Sequence, residues 1–212
     1  MDKAKRVWVF DLDDTLHNAS AHIFPVMNRA MTQYIMDHLE LDEQAAFKLR
    51  QHYWQVYGAT LKGLTRHHGA NPHHFLAATH DFMDLPNMVE QTKGLRHLLQ
   101  QLSGRKVVFT NAPMRYALRV LRILGIEDMF ETIFSVESTR FHPKPSIRGF
   151  RQMLKTIKAK PGDCVMLEDS AETLMTAKRL GMKTIHVTKK LTKPNYVDVR
   201  INHISKLNRT KI

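Results

Sequence analysis

Five short apolar runs recur along the sequence, and each ends in polar or small residues, which is typical of buried parallel strands. They are RVWVF (6–10), KVVFT (106–110), TIFSV (132–136), CVMLE (164–168) and TIHVT (184–188). Helical patterns lie between most of them; AETLMTAKRLG, for example, begins after Ser170 and ends at Gly181. Strands that alternate with helices predict right-handed connections and an α/β fold with a doubly wound, Rossmann-like parallel sheet.

The interval between the first two runs departs from this pattern. Residues 17–92 have helical periodicity and no strand pattern, and three helices are expected in SAHIFPVMNRAMTQYIMDHL, DEQAAFKLRQHYWQVYG and NPHHFLAATHDFM. We therefore expect an all-helical domain inserted at 17–92 and an α/β core made of residues 1–16 and 93–212. The basic tail after Lys189 is expected to pack back on the core through YVDVRINHISKL.

The composition is that of a globular protein with a strong positive charge. Hydrophobic residues make up 43% of the 212 residues. No run reaches the roughly 20 apolar residues of a membrane span, and the N-terminus lacks a signal-peptide pattern. We expect a cytoplasmic protein without a membrane partner. The formal net charge of +12 favours an anionic partner, and it does not choose between a phosphate compound and nucleic acid. The sequence indicates no oligomeric state.

Polar side chains follow three of the predicted strands. Ligands of an open α/β sheet bind beyond the carboxyl ends of its strands, so these side chains are expected to share one site. They are Asp11 and Asp13 after the first strand, Thr110 and Asn111 after the second, and Glu168 and Asp169 after the fourth.

Crowded carboxylates indicate a metal ion. Residues two apart in an extended segment face the same way, so Asp11 and Asp13 should point together while Asp14 points elsewhere. Two carboxylates about 7 Å apart repel each other by roughly 2.5 kcal/mol at an effective dielectric constant near 20, and a bound cation offsets that repulsion. Oxygen ligands with no histidine or cysteine beside them favour Mg²⁺.

The same acids suit phosphoryl transfer. Asp11 could attack phosphorus and form an aspartyl-phosphate, while Asp13 protonates the leaving alkoxide and later deprotonates the hydrolytic water. Donors must surround the phosphoryl oxygens, and Thr110, Asn111 and Lys144, which stands between two prolines, are the candidates. Alternatively, Thr110 and Asn111 cap a turn and Lys144 is a surface lysine.

Four short motifs together resemble the haloacid dehalogenase superfamily. They occur in its order over nearly the whole chain: DLDDT (Asp11, Asp13, Thr15), FTNA (Thr110), PKPS (Lys144) and LEDS (Glu168, Asp169). The resemblance implies Asp11 as nucleophile and metal ligand, Asp13 as general acid/base that also offers its backbone carbonyl to Mg²⁺, and Asp169 as a metal ligand. It implies that Glu168 holds metal-bound water or touches the metal.

The resemblance also bears on the reaction. Dehalogenases of this superfamily lack an acid at the position of Asp13, which favours a phosphatase. The helical insertion matches the superfamily's cap, which closes over the substrate and excludes water.

A narrower resemblance concerns the substrate. YWQVYGATLKGLTRHHGANPHHF and TNAPMRYALRVLRILGIEDMF are similar to segments of pyrimidine 5'-nucleotidases, which dephosphorylate nucleoside monophosphates such as UMP and CMP. Tyr53 and Tyr57, four apart on the expected helix, could stack on a base, although such pairs more often simply pack. The paired histidines of RHHGANPHH could bind a transition metal, but such histidines are more often solvated or phosphate-facing.

Two other functions stay open on sequence grounds. The substrate could be another small phosphate monoester, such as phosphoglycolate or a sugar phosphate. The chain could instead be a catalytically silent nucleic-acid-binding protein on the same fold, as its charge of +12 suggests. The acids argue against this second alternative, because a protein without metal chemistry gains nothing from their repulsion.

Overall fold

A six-stranded parallel sheet is formed by the residues that this computed structural model describes, which are 5–210 and 212. The strands lie in the order β3-β2-β1-β4-β5-β6, and every neighbouring pair is parallel. The predicted doubly wound α/β fold is confirmed. The strands are β1 (Val7–Phe10), β2 (Arg105–Phe109), β3 (Thr132–Phe134), β4 (Cys164–Glu168), β5 (Lys183–Val187) and β6 (Val199–Ile201).

The helices separate into those that precede β2 and those that connect the later strands. The described residues contain α1 (Ala19–Leu39), α2 (Glu43–Tyr57), α3 (Thr60–His68), α4 (Pro72–His80), α5 (Leu85–Met88), α6 (Leu95–Gln101), α7 (Met114–Ile123), α8 (Ile147–Thr156) and α9 (Ala171–Arg179). Short 3₁₀ helices occur at Glu127–Met129, Pro161–Asp163 and Ile204–Arg209. Among the described helices, none combines the length and the apolar character that a bilayer crossing requires.

The strand β1 is buried along its whole length, because it lies in the middle of the sheet between β2 and β4. Alternate residues of these strands, such as Val9, Phe109 and Met166, pack against Phe150 of α8 and Leu174 of α9. The opposite face of the same strands is also buried. Burial on both faces explains why the strands are continuous apolar runs and not alternating ones.

The sixth strand, β6, was not predicted from the sequence. It is three residues long, its first two residues are only partly buried, and its segment has no clear apolar run. It pairs with β5, where the Oδ2 atom of Asp198 accepts hydrogen bonds from the backbone N–H and the hydroxyl of Thr184. Ile204 and Leu207, which follow it, are buried, so the tail packs on the core as expected.

The chain forms two compact units. One comprises Ala19–Met88 and is called the helical unit below, and the other comprises Met1–Asn18 with Val89–Ile212 and contains the sheet. The sequence-derived boundaries at residues 17 and 92, and the assignment of the helical insertion as a cap, stay predictions.

Aromatic and histidine side chains organise the helical unit. Tyr53 of α2 is buried, its ring stacks on His67, and its hydroxyl lies 2.7 Å from Nε2 of His68. Tyr57 has a similar hydrogen bond with Nε2 of His67. Two of the four paired histidines therefore serve the packing of α2 against α3. The close approach is possible because position 63 has no side chain: a Cβ atom on Gly63 would overlap the ring of Tyr53.

We predict that Gly63→Ala destabilises the protein by about 1–3 kcal/mol, because the methyl group overlaps a buried ring. This loss should exceed the gain of roughly 1 kcal/mol that alanine brings to a helix. Urea unfolding followed by circular dichroism measures the effect. Gly162→Ala is the matched control, since a Cβ atom there meets nothing within 4 Å. Equal stability of the two variants would contradict the prediction.

Candidate active site

The chain turns sharply just after β1. Asp11 continues the sheet, with its backbone N–H donating to the carbonyl of Leu167 in β4 at 3.0 Å. The backbone N–H of Leu16 then donates to the carbonyl of Leu12 at 2.9 Å, and Asp14 has a left-handed φ of 57°. The premise of an extended segment through Asp14 is therefore wrong, because the strand geometry ends near Leu12. Asp14 is set apart from Asp11 by a turn and not by strand alternation.

A buried lysine links two of the carboxylates. The Nζ atom of Lys144 lies 2.7 Å from Oδ1 of Asp11 and 2.6 Å from Oε2 of Glu168. The residue is only 4% exposed, so the alternative of a surface lysine is wrong. Burial opposes the charge on Lys144, but the two carboxylates outweigh it and raise the pKa of Lys144 above its usual value. Lys144 is a buried ammonium ion.

Glu168 is fully engaged within the protein. While Oε2 accepts from Lys144, Oε1 accepts hydrogen bonds from the backbone N–H groups of Asp169 and Ser170, both at 3.1 Å. Glu168 therefore ties the end of β4 to the lysine and to the turn that begins α9. Burial raises the pKa of Glu168 to about 7.

Three carboxylates lie close enough to share a cation. Asp11, Glu168 and Asp169 each offer one oxygen, and these atoms lie within 4.8 Å of one another. Burial raises the pKa of Asp11 well above its ordinary value, with a further contribution from Glu168, and burial raises the pKa of Asp169 to about 6. When all three are ionised, Lys144 balances only one of their charges. The donor set, all hard oxygen atoms, fits a Mg²⁺ ion.

Asn111, at the carboxyl end of β2, engages Lys144 through its side-chain amide. Its Oδ1 atom accepts from the backbone N–H of Lys144 at 2.7 Å, and its Nδ2 atom donates to the carbonyl of the same residue at 3.0 Å. We expected this amide to contact phosphate. The structure shows that both ends of the amide fix the backbone that carries the lysine.

Thr110, also at the end of β2, is buried beside these groups. Its backbone N–H donates to the carbonyl of Phe134 at 2.9 Å, and its Oγ1 atom accepts from the backbone N–H of Ala112 at 3.0 Å. The hydroxyl thus accepts a local turn hydrogen bond, and its own proton is available to an acceptor. The turn-capping interpretation and a role as a donor to a ligand are compatible at this position.

Asp13 has two side-chain partners that the sequence did not reveal. Its Oδ1 atom lies 2.7 Å from the hydroxyl of Tyr116 in α7 and 2.9 Å from Nε2 of His17. Burial and the adjacent Asp13 carboxylate raise the pKa of Tyr116, so its hydroxyl stays protonated and donates. Tyr116 belongs to the buried side of an amphipathic helix, where its sequence pattern is that of a core residue.

His186 of β5 supports Asp169 in a similar way. Its Nε2 atom lies 2.9 Å from the backbone carbonyl of Asp169, and a carbonyl can only accept, so Nε2 carries the proton. Burial lowers the pKa of His186, which favours the neutral ring. The loop that carries Asp169 is therefore held from the neighbouring strand.

Tyr53 and Tyr57, the candidate substrate-binding residues, lie in the helical unit. The ring and hydroxyl of Tyr53 are used in contacts with His67 and His68. Tyr57 is more exposed than Tyr53. A role in binding a base is thus easier to reconcile with Tyr57 than with Tyr53.

Comparisons with known proteins place the chain in a family. The profile of the haloacid dehalogenase-like hydrolases matches residues 8–187. Phosphate metabolism protein 8 of Saccharomyces cerevisiae is 27% identical over 199 residues, which cover 85% of this chain and 61% of that protein. Validoxylamine A 7'-phosphate phosphatase of Streptomyces hygroscopicus subsp. limoneus is 26% identical over 109 residues, which cover 49% of this chain and 51% of that protein. The chain thus spans less than two thirds of the length of these curated relatives.

A solved structure has the same fold. CbbY from Rhodobacter sphaeroides, crystallised in complex with phosphate, superposes with a TM-score of 0.69 at 19% identity and covers 95% of this chain and 96% of its own. The profile match, over residues 8–187, covers most of the chain and contains Asp11, Lys144 and Asp169. The chain belongs to the haloacid dehalogenase-like hydrolase family.

Proposed function

We propose that this protein is a Mg²⁺-dependent phosphatase that hydrolyses a small phosphate monoester through an aspartyl-phosphate on Asp11. The observation that carries the proposal is the buried carboxylate of Asp11 at the end of the central strand, within hydrogen-bond distance of the Lys144 ammonium and beside the carboxylates of Glu168 and Asp169. The names of the relatives, one of them a phosphatase, agree with this class of reaction.

The reaction has two steps on this chain. A carboxylate oxygen of Asp11 attacks phosphorus and forms a P–O bond, while the P–O bond to the leaving group breaks and Asp13 donates its proton to the departing oxygen. Water then attacks the phosphorus of the aspartyl-phosphate and gives its proton to Asp13. The second step releases inorganic phosphate and restores both carboxyl groups.

Asp11, Asp169 and the backbone carbonyl of Asp13 would hold the metal ion. When bound, Mg²⁺ supplies positive charge that offsets the carboxylates and the phosphoryl oxygens. Glu168 has both oxygens in hydrogen bonds, so we assign it to holding Lys144 and metal-bound water.

Lys144 and Thr110 are the proposed phosphate-binding donors. The Lys144 ammonium already lies against the proposed nucleophile, so it can stabilise charge on the transferred phosphoryl group without moving far. Asn111, which was expected to share this task, contributes by fixing the Lys144 backbone from both sides. Its backbone N–H can still face phosphate.

For the substrate we propose a pyrimidine nucleoside 5'-monophosphate, with Tyr57 as the better candidate for contact with the base. This choice rests on the resemblance of two sequence segments to pyrimidine 5'-nucleotidases. The helical unit is proposed as the cap that excludes water during the reaction. Other monoesters, such as phosphoglycolate and sugar phosphates, are the alternatives that the first experiment distinguishes.

We predict phosphate release from UMP and CMP in the presence of Mg²⁺, and a loss of more than about 1,000-fold in kcat for Asp11→Asn. Asp14→Asn is the matched control: this neighbouring acid lies in the left-handed turn, which asparagine tolerates, and its activity should stay within about threefold. A colorimetric phosphate assay over nucleotides, phosphoglycolate and sugar phosphates gives the result. Full activity of Asp11→Asn would refute the nucleophile, and preference for another monoester would refute the substrate.

The raised carboxyl pKa values predict how Mg²⁺ affects stability. The pKa values of Glu168, about 7, and Asp169, about 6, lie above the roughly 4 of an unfolded chain. Without a cation, their contribution to stability is therefore present below pH about 4 and is lost as the pH rises through 6 to 7. A cation that binds the ionised carboxylates restores this stability.

Saturating Mg²⁺ should accordingly raise the Tm by roughly 5–10 °C at pH 8 and by less than half as much at pH 5.5. Differential scanning calorimetry at both pH values measures the shift. Asp169→Asn should remove it, whereas Asp163→Asn, which changes an acid outside the cluster, should retain it. A shift that is equal at both pH values would contradict the assignment of the cation to these carboxylates.

Asn111→Ala should lower kcat by roughly 10- to 100-fold, because the Lys144 backbone loses two hydrogen bonds and its ammonium is less well placed. Steady-state kinetics with the best substrate measures the loss. The exposed Asn195 provides the control, and Asn195→Ala should match the wild type. Unchanged kcat in Asn111→Ala would show that the lysine is held without this amide.

A further inference from the structure

The carboxylate of Asp13 is held on one side only. The hydroxyl of Tyr116 and the Nε2 atom of His17 both reach Oδ1, at 2.7 and 2.9 Å. Among the residues that the structure describes, no side chain or backbone group is hydrogen-bonded to Oδ2. Both partners are buried, with 1% of Tyr116 and 3% of His17 exposed, while the Asp13 side chain retains 13% of its accessible surface.

We propose that Tyr116 and His17 are positioning residues that hold Oδ1 of Asp13 and thereby make Oδ2 the oxygen that gives and takes the proton. The inference rests on the proposed function, to which it adds roles for Tyr116, His17 and the Oδ2 atom of Asp13. Neither residue belongs to the four motifs that carry the family resemblance.

The hydrogen bonds to Oδ1 determine which oxygen of Asp13 carries the proton. An ionised carboxylate can only accept, so Nε2 of His17 carries a proton and Oδ1 accepts two hydrogen bonds. Such an oxygen is a poor site for a further proton, because protonation would place a third hydrogen among the two donors. The Asp13 proton therefore resides on Oδ2 when the carboxyl group is neutral.

The proton moves in a balanced cycle. In the first step, the O–H bond of Oδ2 breaks, its proton joins the leaving oxygen, and the P–O bond to that oxygen breaks as Asp11 bonds to phosphorus. In the second step, water forms its bond to phosphorus, its proton returns to Oδ2, and the bond from Asp11 to phosphorus breaks. Oδ1 keeps its two hydrogen bonds throughout.

The two partners also come from different places in the fold. Tyr116 is held in α7, where its neighbours Ala117 and Val120 are fully buried. His17 lies in the turn after β1, four residues beyond Asp13. Because the turn places Asp13 outside the sheet, the carboxylate would otherwise rotate about its side-chain bonds. Fixing it from two elements preserves the orientation that proton transfer requires.

The test compares leaving groups. An alkoxide needs a proton as it departs, whereas p-nitrophenolate is a weak base and leaves without one, so only the first reaction depends strongly on Asp13. Tyr116→Phe should lower kcat/KM for glycerol 2-phosphate by roughly 10- to 100-fold. The loss for p-nitrophenyl phosphate should be at least about fivefold smaller. Tyr196→Phe removes a hydroxyl elsewhere in the same unit and should behave like the wild type with both substrates.

Two further measurements exclude a purely structural effect. In an Asp13→Asn background, Tyr116→Phe should cause no additional loss, because the group that it positions no longer transfers a proton. His17→Leu should show the same dependence on leaving group as Tyr116→Phe. His17→Gln, whose amide N–H can replace the Nε2–H donor, should recover much of the activity. The comparison of His17→Leu with His17→Gln tests the proposal even if Tyr116→Phe folds poorly.

Equal losses with both substrates, or no loss at all, would overturn the positioning role while wild-type activity upholds the proposed function. Additive losses in the Asp13→Asn background would overturn it as well. A wild-type protein that releases no phosphate from these two compounds or from UMP would instead refute the proposed function.

Discussion

The buried ammonium of Lys144 is the interaction on which the site depends. It lies between Asp11 and Glu168, at 2.7 and 2.6 Å, where solvent screens little. Burying two carboxylates this close without a cation would be costly, and the ammonium, together with the backbone N–H groups that donate to Glu168, offsets that cost. The lysine therefore holds Asp11 and Glu168 together, and its ammonium lies beside the proposed nucleophile.

The same lysine connects loops that follow different strands. Asp11 follows β1, Asn111 follows β2, Lys144 lies beyond β3, and Glu168 ends β4. The amide of Asn111 holds the lysine backbone while the lysine side chain holds the two acids, so four carboxyl ends of the sheet are joined by one chain of contacts. In an open parallel sheet, the segments that follow these strands are separate loops. The contacts of Lys144 and Asn111 fix the positions of these loops relative to one another.

The sequence predicted five of the strands, because each stands in a continuous apolar run, and the central strands β1 and β4 are buried along their whole length. It missed β6, which is as short and as partly buried as the other edge strand, β3, but lies in a segment without a clear apolar run. It also identified the acids and Lys144, which stand in short motifs, but it did not identify what holds them. Tyr116 lies 103 residues from Asp13, and a buried tyrosine on an amphipathic helix has the pattern of an ordinary core residue. Contacts of this kind depend on tertiary structure and leave no local signal.

The chain as a whole is strongly basic, whereas the candidate site is rich in carboxylates, and this difference bears on how a phosphate compound binds. A net charge of +12 attracts phosphate compounds to the protein as a whole. At the site, however, three carboxylates face a single buried ammonium once the pH exceeds their raised pKa values, so a dianionic phosphate would then meet excess negative charge. Long-range attraction alone therefore does not place the substrate in the site, and a divalent cation at the cluster is what would neutralise the excess negative charge. The positive net charge therefore favours the approach of a phosphate compound to the protein, while the proposed metal ion determines whether that compound binds at the site and reacts.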